Sequence, residues 1–349
     1  MGPASRKSVQ GLDARHVRPL GARSAAHLAV LGIALSLSAG CAGRKAVAPQ
    51  MGADPWLDSP PAARCAQFFV ESGVSPRRMH MGDTVVRFVD LPATGPTDQH
   101  PWLLIHGYGG TLCDFARLVK HVAGQRRVLA LDLPGFGESA SADEHYSVDS
   151  YVAILREFVT RTESGPVHLV CHSLGGHVCL GAALTAPSYI ASLTLIDTAG
   201  IYDASQFPGD IAKRKAGVNL GRMTTKHGRG FVDVAAGDQE LLRRLVAHDP
   251  AVWTAVSSFR SNYRQEVGRV RVPTLVLWGM DDPLFPVEDA LFLAENLTNV
   301  KTHIIDGAGH CPAETHPQVV AKLVEGFVAA LTAPTSAAPT SPPDGSVSQ

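Results

Sequence analysis

The sequence predicts an α/β fold: a doubly wound, mostly parallel sheet with a helical lid insertion. Three observations carry this. Short apolar runs alternate with stretches of helical spacing. Buried parallel strands read as continuous apolar runs, and helices cover them on both faces. One run, Val167–Cys171, leads almost directly into Ser173 and then into a stretch of small residues. The alternation breaks once, between about 200 and 272, where helix-like pieces follow without a clear buried strand. An insertion there would pack over the carboxyl edge of the sheet, where open α/β sheets bind ligands.

Each element has its own signal. Met79–Leu91 reads as a hairpin with Gly82-Asp83 at its turn. Trp102–Ile105 is an apolar run ending at a Gly-rich loop, and Arg127–Leu131 is another. Val148, Tyr151, Val152, Leu155, Phe158 and Val159 recur at helical spacing. Val167–Cys171 is a strand and Leu174–Ala186 a helix. Leu193–Ile196, Thr274–Trp278 and Thr302–Ile305 are further strands. Val319, Val320, Leu323, Val324, Phe327 and Val328 mark the last helix.

The chain has 349 residues, 45% hydrophobic and 18% charged, too apolar for a mainly disordered protein. Lys+Arg is 31 against 32 Asp+Glu, without the basic excess of a nucleic-acid binder. No nucleic-acid partner is expected, and no oligomeric state follows from the sequence. Six cysteines are too few for a disulfide scaffold, and the lack of a C-x-x-C pair leaves zinc and thioredoxin-like readings unsupported.

The N-terminus reads as an address. Arg15, Arg18 and Arg23 precede Leu28–Gly40, an uncharged run too short for a membrane span of about 20 residues. Ser38-Ala39-Gly40-Cys41 resembles a bacterial lipobox, with Ser38 where Leu is commoner. The resemblance implies a lipoprotein signal peptide over 1–40, lipid attached to Cys41, and export to the bacterial cell envelope with that lipid in the membrane. Residues 41–62 read as a tether, 63–332 as the folded domain with its lid at about 200–272, and 333–349 as a disordered tail. Lipid on Cys41 leaves an odd number of cysteines, so at least one thiol should be free or paired between molecules. Cys65 with Cys113 is a possible bridge.

Chemistry-bearing residues fall on loops that follow the strands. Ser173 lies at a strand-to-helix turn, which pushes a hydroxyl above the sheet and demands small neighbours. Gly175 meets that demand on one side, and Cys171 stands where Gly is usual on the other. A serine hydroxyl needs a base to become nucleophilic. His310, in Asp306-Gly-Ala-Gly-His310, follows a strand on a Gly-rich loop. The imidazole needs a carboxylate to fix its tautomer and stabilise its cation. Asp282 fits, just past the Thr274–Trp278 strand; Asp281 and Asp197 are alternatives. An oxyanion needs preorganised N–H donors. Leu174 N–H and Tyr108 N–H, the latter in His106-Gly-Tyr-Gly-Gly110, are the candidates.

These motifs, in the order Ser, Asp, His, resemble the α/β-hydrolase fold, in its subfamily with an H-G-x-G loop and a lid. The resemblance spans about Met79 to Leu331 and includes Asp132–Ser139 and Gly307–Pro317. It implies a serine hydrolase that cleaves a carboxylic ester or similar acyl bond of a small molecule through an acyl-enzyme on Ser173, with no metal or organic cofactor. Carbon–carbon bond hydrolysis, acyl transfer and a non-catalytic surface-anchored binding protein are the alternatives.

Plainer roles are assigned elsewhere. His106 and His172 should hold loops by hydrogen bonds, and Asp132 should close backbone hydrogen bonds. Cys171 and Cys311, beside Ser173 and His310, are read as small buried hydrophobes. Lys213, Arg214, Lys215, Arg222, Lys226 and Arg229 form a basic stretch that reads first as a solvated helix face. Ile201, Phe207, Phe231, Trp253 and Phe259 would line an acyl pocket or form the lid's own small core.

Overall fold

A computed structural model describes residues 59–95, 99–141, 146–202 and 261–332, with Trp56, Thr254, Ser257 and Ser258. One eight-stranded sheet carries the fold. Its strands are β1 (Arg77–Met81), β2 (Thr84–Leu91), β3 (Trp102–Ile105), β4 (Val128–Leu131), β5 (Val167–His172), β6 (Ile190–Ile196), β7 (Thr274–Gly279) and β8 (Val300–Ile305). Their spatial order is β1-β2-β4-β3-β5-β6-β7-β8. β1 and β2 are the expected hairpin, with Met81 opposite Thr84, and β2 pairs antiparallel with β4. All remaining pairs are parallel.

Alternation along each strand divides the core in two. Leu103, Ile105, Leu129, Leu131, Leu169, Val276 and Trp278 pack on one face. Trp102, Leu104, Val128, Ala130, Val170, Leu275 and Leu277 pack on the other. This period-two division explains why the strands read as unbroken apolar runs: both faces are covered. On the first face lie α3 (Val148–Arg161), α4 (Leu174–Thr185) and α5 (Val287–Asn296), through Tyr151, Leu155, Val178 and Leu293. On the second lie α1 (Pro61–Ser72), α2 (Ala116–Val122) and α6 (Pro317–Thr332), through Phe68, Leu118, Val119, Val320 and Phe327.

Local chemistry sets the helix ends. α1 opens with Pro at its first turn and stops at Gly73, whose φ of 65° is the left-handed cap that glycine adopts without a Cβ clash. α3 begins at Ser147, whose side chain accepts the Ser150 N–H.

The doubly wound, mostly parallel sheet is as expected, and the folded part starts slightly early. Trp56, placed in the tether by sequence, is buried against the second face with Lys120 over its ring. The leader, Cys41, the tail and most of the 200–272 insertion, including its basic stretch, lie outside the described residues. Of the residues considered for an acyl pocket, Ile201 is described and is buried. Among the described residues, no helix is long and apolar enough to cross a membrane.

Cysteine usage departs from expectation. Cys65–Cys113 is a disulfide, and so is Cys171–Cys179. No described cysteine is free, and Cys311, read from the sequence as a small buried hydrophobe, is disulfide-bonded, which corrects that reading.

Three interior histidines are held neutral. Burial pushes His168 down to about 4, His177 to about 4 and His172 to about 3. An unfolded chain binds protons near the ordinary histidine value of about 6.5, and the folded chain refuses them. Unfolding free energy measured in urea should therefore fall as pH drops from about 6.5 toward 4. His168→Gln should make that fall shallower.

Candidate active site

Ser173 sits between β5 and α4 at φ 51°, ψ −114°. A positive φ on a non-glycine residue is strained, and such strain persists only where the surroundings fix it. Here they do. The Ser173 N–H donates to the Ile196 carbonyl at 3.0 Å, and the Ser173 carbonyl accepts from His177 N at 3.1 Å and Ala199 N at 3.0 Å.

Glycine makes the turn possible. A Cβ on Gly175 would lie 2.3 Å from the Ile105 carbonyl oxygen and 2.7 Å from that of His106. A Cβ on Gly107 would lie 3.1 Å from the Ser173 Cβ, which puts the His106–Gly110 loop against the serine. Cys171 departs from the usual glycine because it is one end of the bridge to Cys179 in α4, with both residues fully buried. The reading of Cys171 as a lone small hydrophobe is corrected: it cross-links the strand and helix that flank the serine, and it has no thiol to offer.

His310 follows β8 on a loop opened by Gly307, at φ 70°. Its Nδ1 donates to Asp282 Oδ2 at 2.8 Å. Asp282 lies past β7, and its Oδ1 accepts from Leu284 N at 2.7 Å and Phe285 N at 3.2 Å. Three N–H donors thus hold this carboxylate in one orientation. Asp281 is exposed to solvent. Asp197 is buried past β6, and its Oδ1 accepts the Gly279 N–H at 2.8 Å. Among the described residues, Asp197, Asp282 and His310 form the one cluster of potential metal ligands, with ligand atoms within 4.8 Å of one another.

The structure brings Ser173 and His310 to the same edge of the sheet. His172, adjacent to the serine, donates from Nε2 to the His310 carbonyl at 2.7 Å, and the two rings lie 4.9 Å apart. Ser173 is 3% exposed and His310 6%. No hydrogen bond joins Ser173 Oγ to the imidazole; catalytic hydrogen bonds often tighten only once substrate is bound. The loop-holding role expected of His172 takes the form of its bond to the His310 carbonyl, which ties the end of β5 to the loop of His310.

His106 holds its own loop by donating from Nδ1 to the Gly107 carbonyl at 2.7 Å and accepting the Leu133 N–H on Nε2 at 2.9 Å. Asp132 accepts from Leu112 N and Glu138 N and pairs with Arg87. Tyr108 is buried, its ring edge-on to Phe136. Leu174 is the first residue of α4, so its N–H has no partner within the helix.

A doubly wound sheet with a strained serine after β5, an imidazole after β8 and a carboxylate bonded to it after β7 defines the hydrolase class of α/β enzymes. The chain belongs to the alpha/beta hydrolase family, whose model matches residues 102–323. It is 30% identical over 244 residues to the dihydrolipoyllysine-residue acetyltransferase component of the acetoin cleaving system of Pseudomonas putida, covering 64% of this chain and 64% of that relative's length. It is 24% identical over 260 residues to the monoacylglycerol lipase ABHD6 of Bos taurus, covering 66% of this chain and 75% of that one. Among solved structures, a putative lipase (lip1) from Acinetobacter baumannii AYE superposes with a TM-score of 0.62 at 24% identity, covering 80% of this chain and 99% of that one, and shares the fold.

The close approach of Gly175 gives a direct test. Gly175→Ala should cost about 1–3 kcal/mol of stability by overpacking, read from thermal unfolding, and should reduce turnover by displacing Ser173. A variant with unchanged melting and turnover would refute the tight packing of the turn.

Proposed function

We propose that this chain is a serine hydrolase of carboxylic esters or closely related acyl bonds. The observation that carries the reading is the 2.8 Å Asp282–His310 hydrogen bond at the same sheet edge as the strained Ser173. His310 Nε2 takes the Ser173 proton as Oγ attacks the acyl carbonyl carbon, and the carbonyl oxygen becomes an oxyanion. Asp282 stabilises the imidazolium that forms. The Leu174 and Tyr108 N–H groups receive the oxyanion, with His106–Gly110 acting as an H-G-x-G loop. Collapse expels an alkoxide, which takes the proton from His310 and leaves an acyl-enzyme. Water, deprotonated by the same imidazole, then releases the acid. The likeness to a monoacylglycerol lipase favours an acyl substrate with an apolar chain.

Acyl transfer is the second reading, favoured by the 30% identity to an acetyltransferase component. It differs only in what resolves the acyl-enzyme. Ser173→Ala should lower p-nitrophenyl ester turnover by about 10⁴-fold or more with an unchanged melting temperature. Full turnover by the variant would refute the nucleophile. Product partition with added alcohol or thiol separates transfer from hydrolysis.

We also propose that the chain is exported and held in the cell envelope by lipid on Cys41. The Cys65–Cys113 and Cys171–Cys179 disulfides support an oxidising compartment. Radiolabelled palmitate should enter the wild type and be lost in Cys41→Ala; unchanged labelling would sink the lipoprotein reading.

A further inference from the structure

Asp197 is a buried carboxyl that the catalytic scheme above does not use. It is the first residue past β6 and, like Ser173, takes a positive φ, 43°. Its N–H donates to the Leu277 carbonyl at 3.0 Å. Its side chain is wholly buried. Oδ1 accepts one N–H, from Gly279 at 2.8 Å. Oδ2 is buried without a donor directed at it, and a carboxyl oxygen of Asp197 lies within 4.8 Å of one of Asp282.

Two carboxyls this close cannot both ionise in a buried site without great cost. Their surroundings decide which one keeps the charge. Asp282 receives three N–H donors, from His310, Leu284 and Phe285, and each favours the ionised form. Asp197 receives one. An ionised Asp197 would bury a carboxylate oxygen with no compensating donor, whereas a neutral one turns that oxygen into a donor with an acceptor at hand. Burial, and then the charge on Asp282, push the Asp197 carboxyl well above the ordinary carboxylate range.

We propose that Asp197 is a positioning residue that retains its proton and donates it as an O–H···O hydrogen bond to Asp282, so that one negative charge, in one orientation, stands behind His310. The bond fixes the Asp282 carboxylate with Oδ2 toward the imidazole and draws off part of its charge. It also limits how strongly Asp282 holds the imidazolium. The proposal rests on the catalytic reading above for its effect on turnover, but not for the protonation itself.

The other groups around the imidazole are accounted for. His172 faces it from β5 and is kept neutral by burial. His106, beyond His172, has both ring nitrogens engaged. Phe285 packs edge-on from the β7 side. Glu314, in the turn after His310, is ion-paired with Arg64 of α1, and Asp281 points to solvent. Asp197 and Asp282 are thus the carboxyls whose shared proton the His310 site senses.

Two measurements on the intact protein test this. In the infrared at neutral pH, the wild type and Ser173→Ala should both show the carbonyl stretch of a protonated, buried carboxyl, and Asp197→Asn should lack it. No band that depends on Asp197 would overturn the proposal whatever the fate of the catalytic reading. In ester hydrolysis, Asp197→Asn keeps an N–H donor to Asp282, so the acid limb of kcat/KM should stay within about 0.3 pH units of the wild type. Asp197→Ala removes the donor and leaves the full Asp282 charge on the imidazolium. Its acid limb should move up by about half a pH unit or more, and kcat should fall about tenfold with KM within about twofold. An acid limb that moves down in Asp197→Asn would mean that a charge had been removed, and would overturn the proposal even if Asp197→Ala failed to fold. If Ser173→Ala remained active while the infrared band followed Asp197, the catalytic reading alone would fail.

Discussion

The site depends on one backbone constraint: a non-glycine residue at φ 51° between β5 and α4. Nothing in the serine itself favours that conformation. It is enforced by the Ile196 carbonyl below it, by the Ala199 N–H beside it, and by a helix that can start at once only because residue 175 has no side chain. Relaxing the turn would break the first helical hydrogen bond of α4 and the bond to β6 together. The Cys171–Cys179 bridge spans the same turn from strand to helix. Strain at Ser173 is therefore balanced by contacts to β3, β6 and α4, not by the serine's immediate neighbours alone.

The parallel sheet extends this constraint to the other groups. β5, β6, β7 and β8 run side by side in the same direction, so the loops after them open at one edge. Register then matters residue by residue. His172 pairs with Ile196, and Ile196 with Leu277, which brings the residues just beyond them, Ser173, Asp197 and the β7 loop, to one level. The loops at this edge are stiffened by internal polar bonds: His106 fixes the Gly107 carbonyl, and Asp132 gathers two backbone N–H groups beside Arg87. Such satisfied polar groups rigidify a site that would otherwise consist of mobile connections.

Much of this was legible in the sequence because it is local. An apolar run that meets a serine and then small residues encodes the strand, the turn and the helix within a few positions. The hairpin, the core strands and the last helix were legible from periodicity. α1 was hidden because it follows a Pro- and Ala-rich stretch that resembles linker, and its burial depends on contacts with the far face of the sheet. α2 and α5 are short helices beside strong loop signals. Three aspartates competed for the role beside His310, and sequence could not separate them. Which carboxylate turns inward is set by register and loop geometry, and here Asp282 is bonded while Asp281 faces solvent. The Cys171–Cys179 pairing was invisible for a similar reason: the partners meet only once α4 has folded back along β5.

Asp197 and Asp282 show how one kind of side chain acquires two roles from its surroundings. Both follow buried strands and both lie within reach of the imidazole. The β7 loop curls so that two of its own N–H groups point at Asp282, whereas the end of β6 spends its amide on the sheet and receives only the Gly279 N–H in return. Donor count therefore separates the two carboxyls: three N–H groups converge on Asp282 and one reaches Asp197. The backbone that shapes the turn at Ser173 is tied to the same strand end, through the Ile196 carbonyl one residue before Asp197. The strand that shapes the turn at Ser173 thus also carries Asp197, and Ser173, Asp282 and His310 are held in relation to one another by the edge of a single sheet.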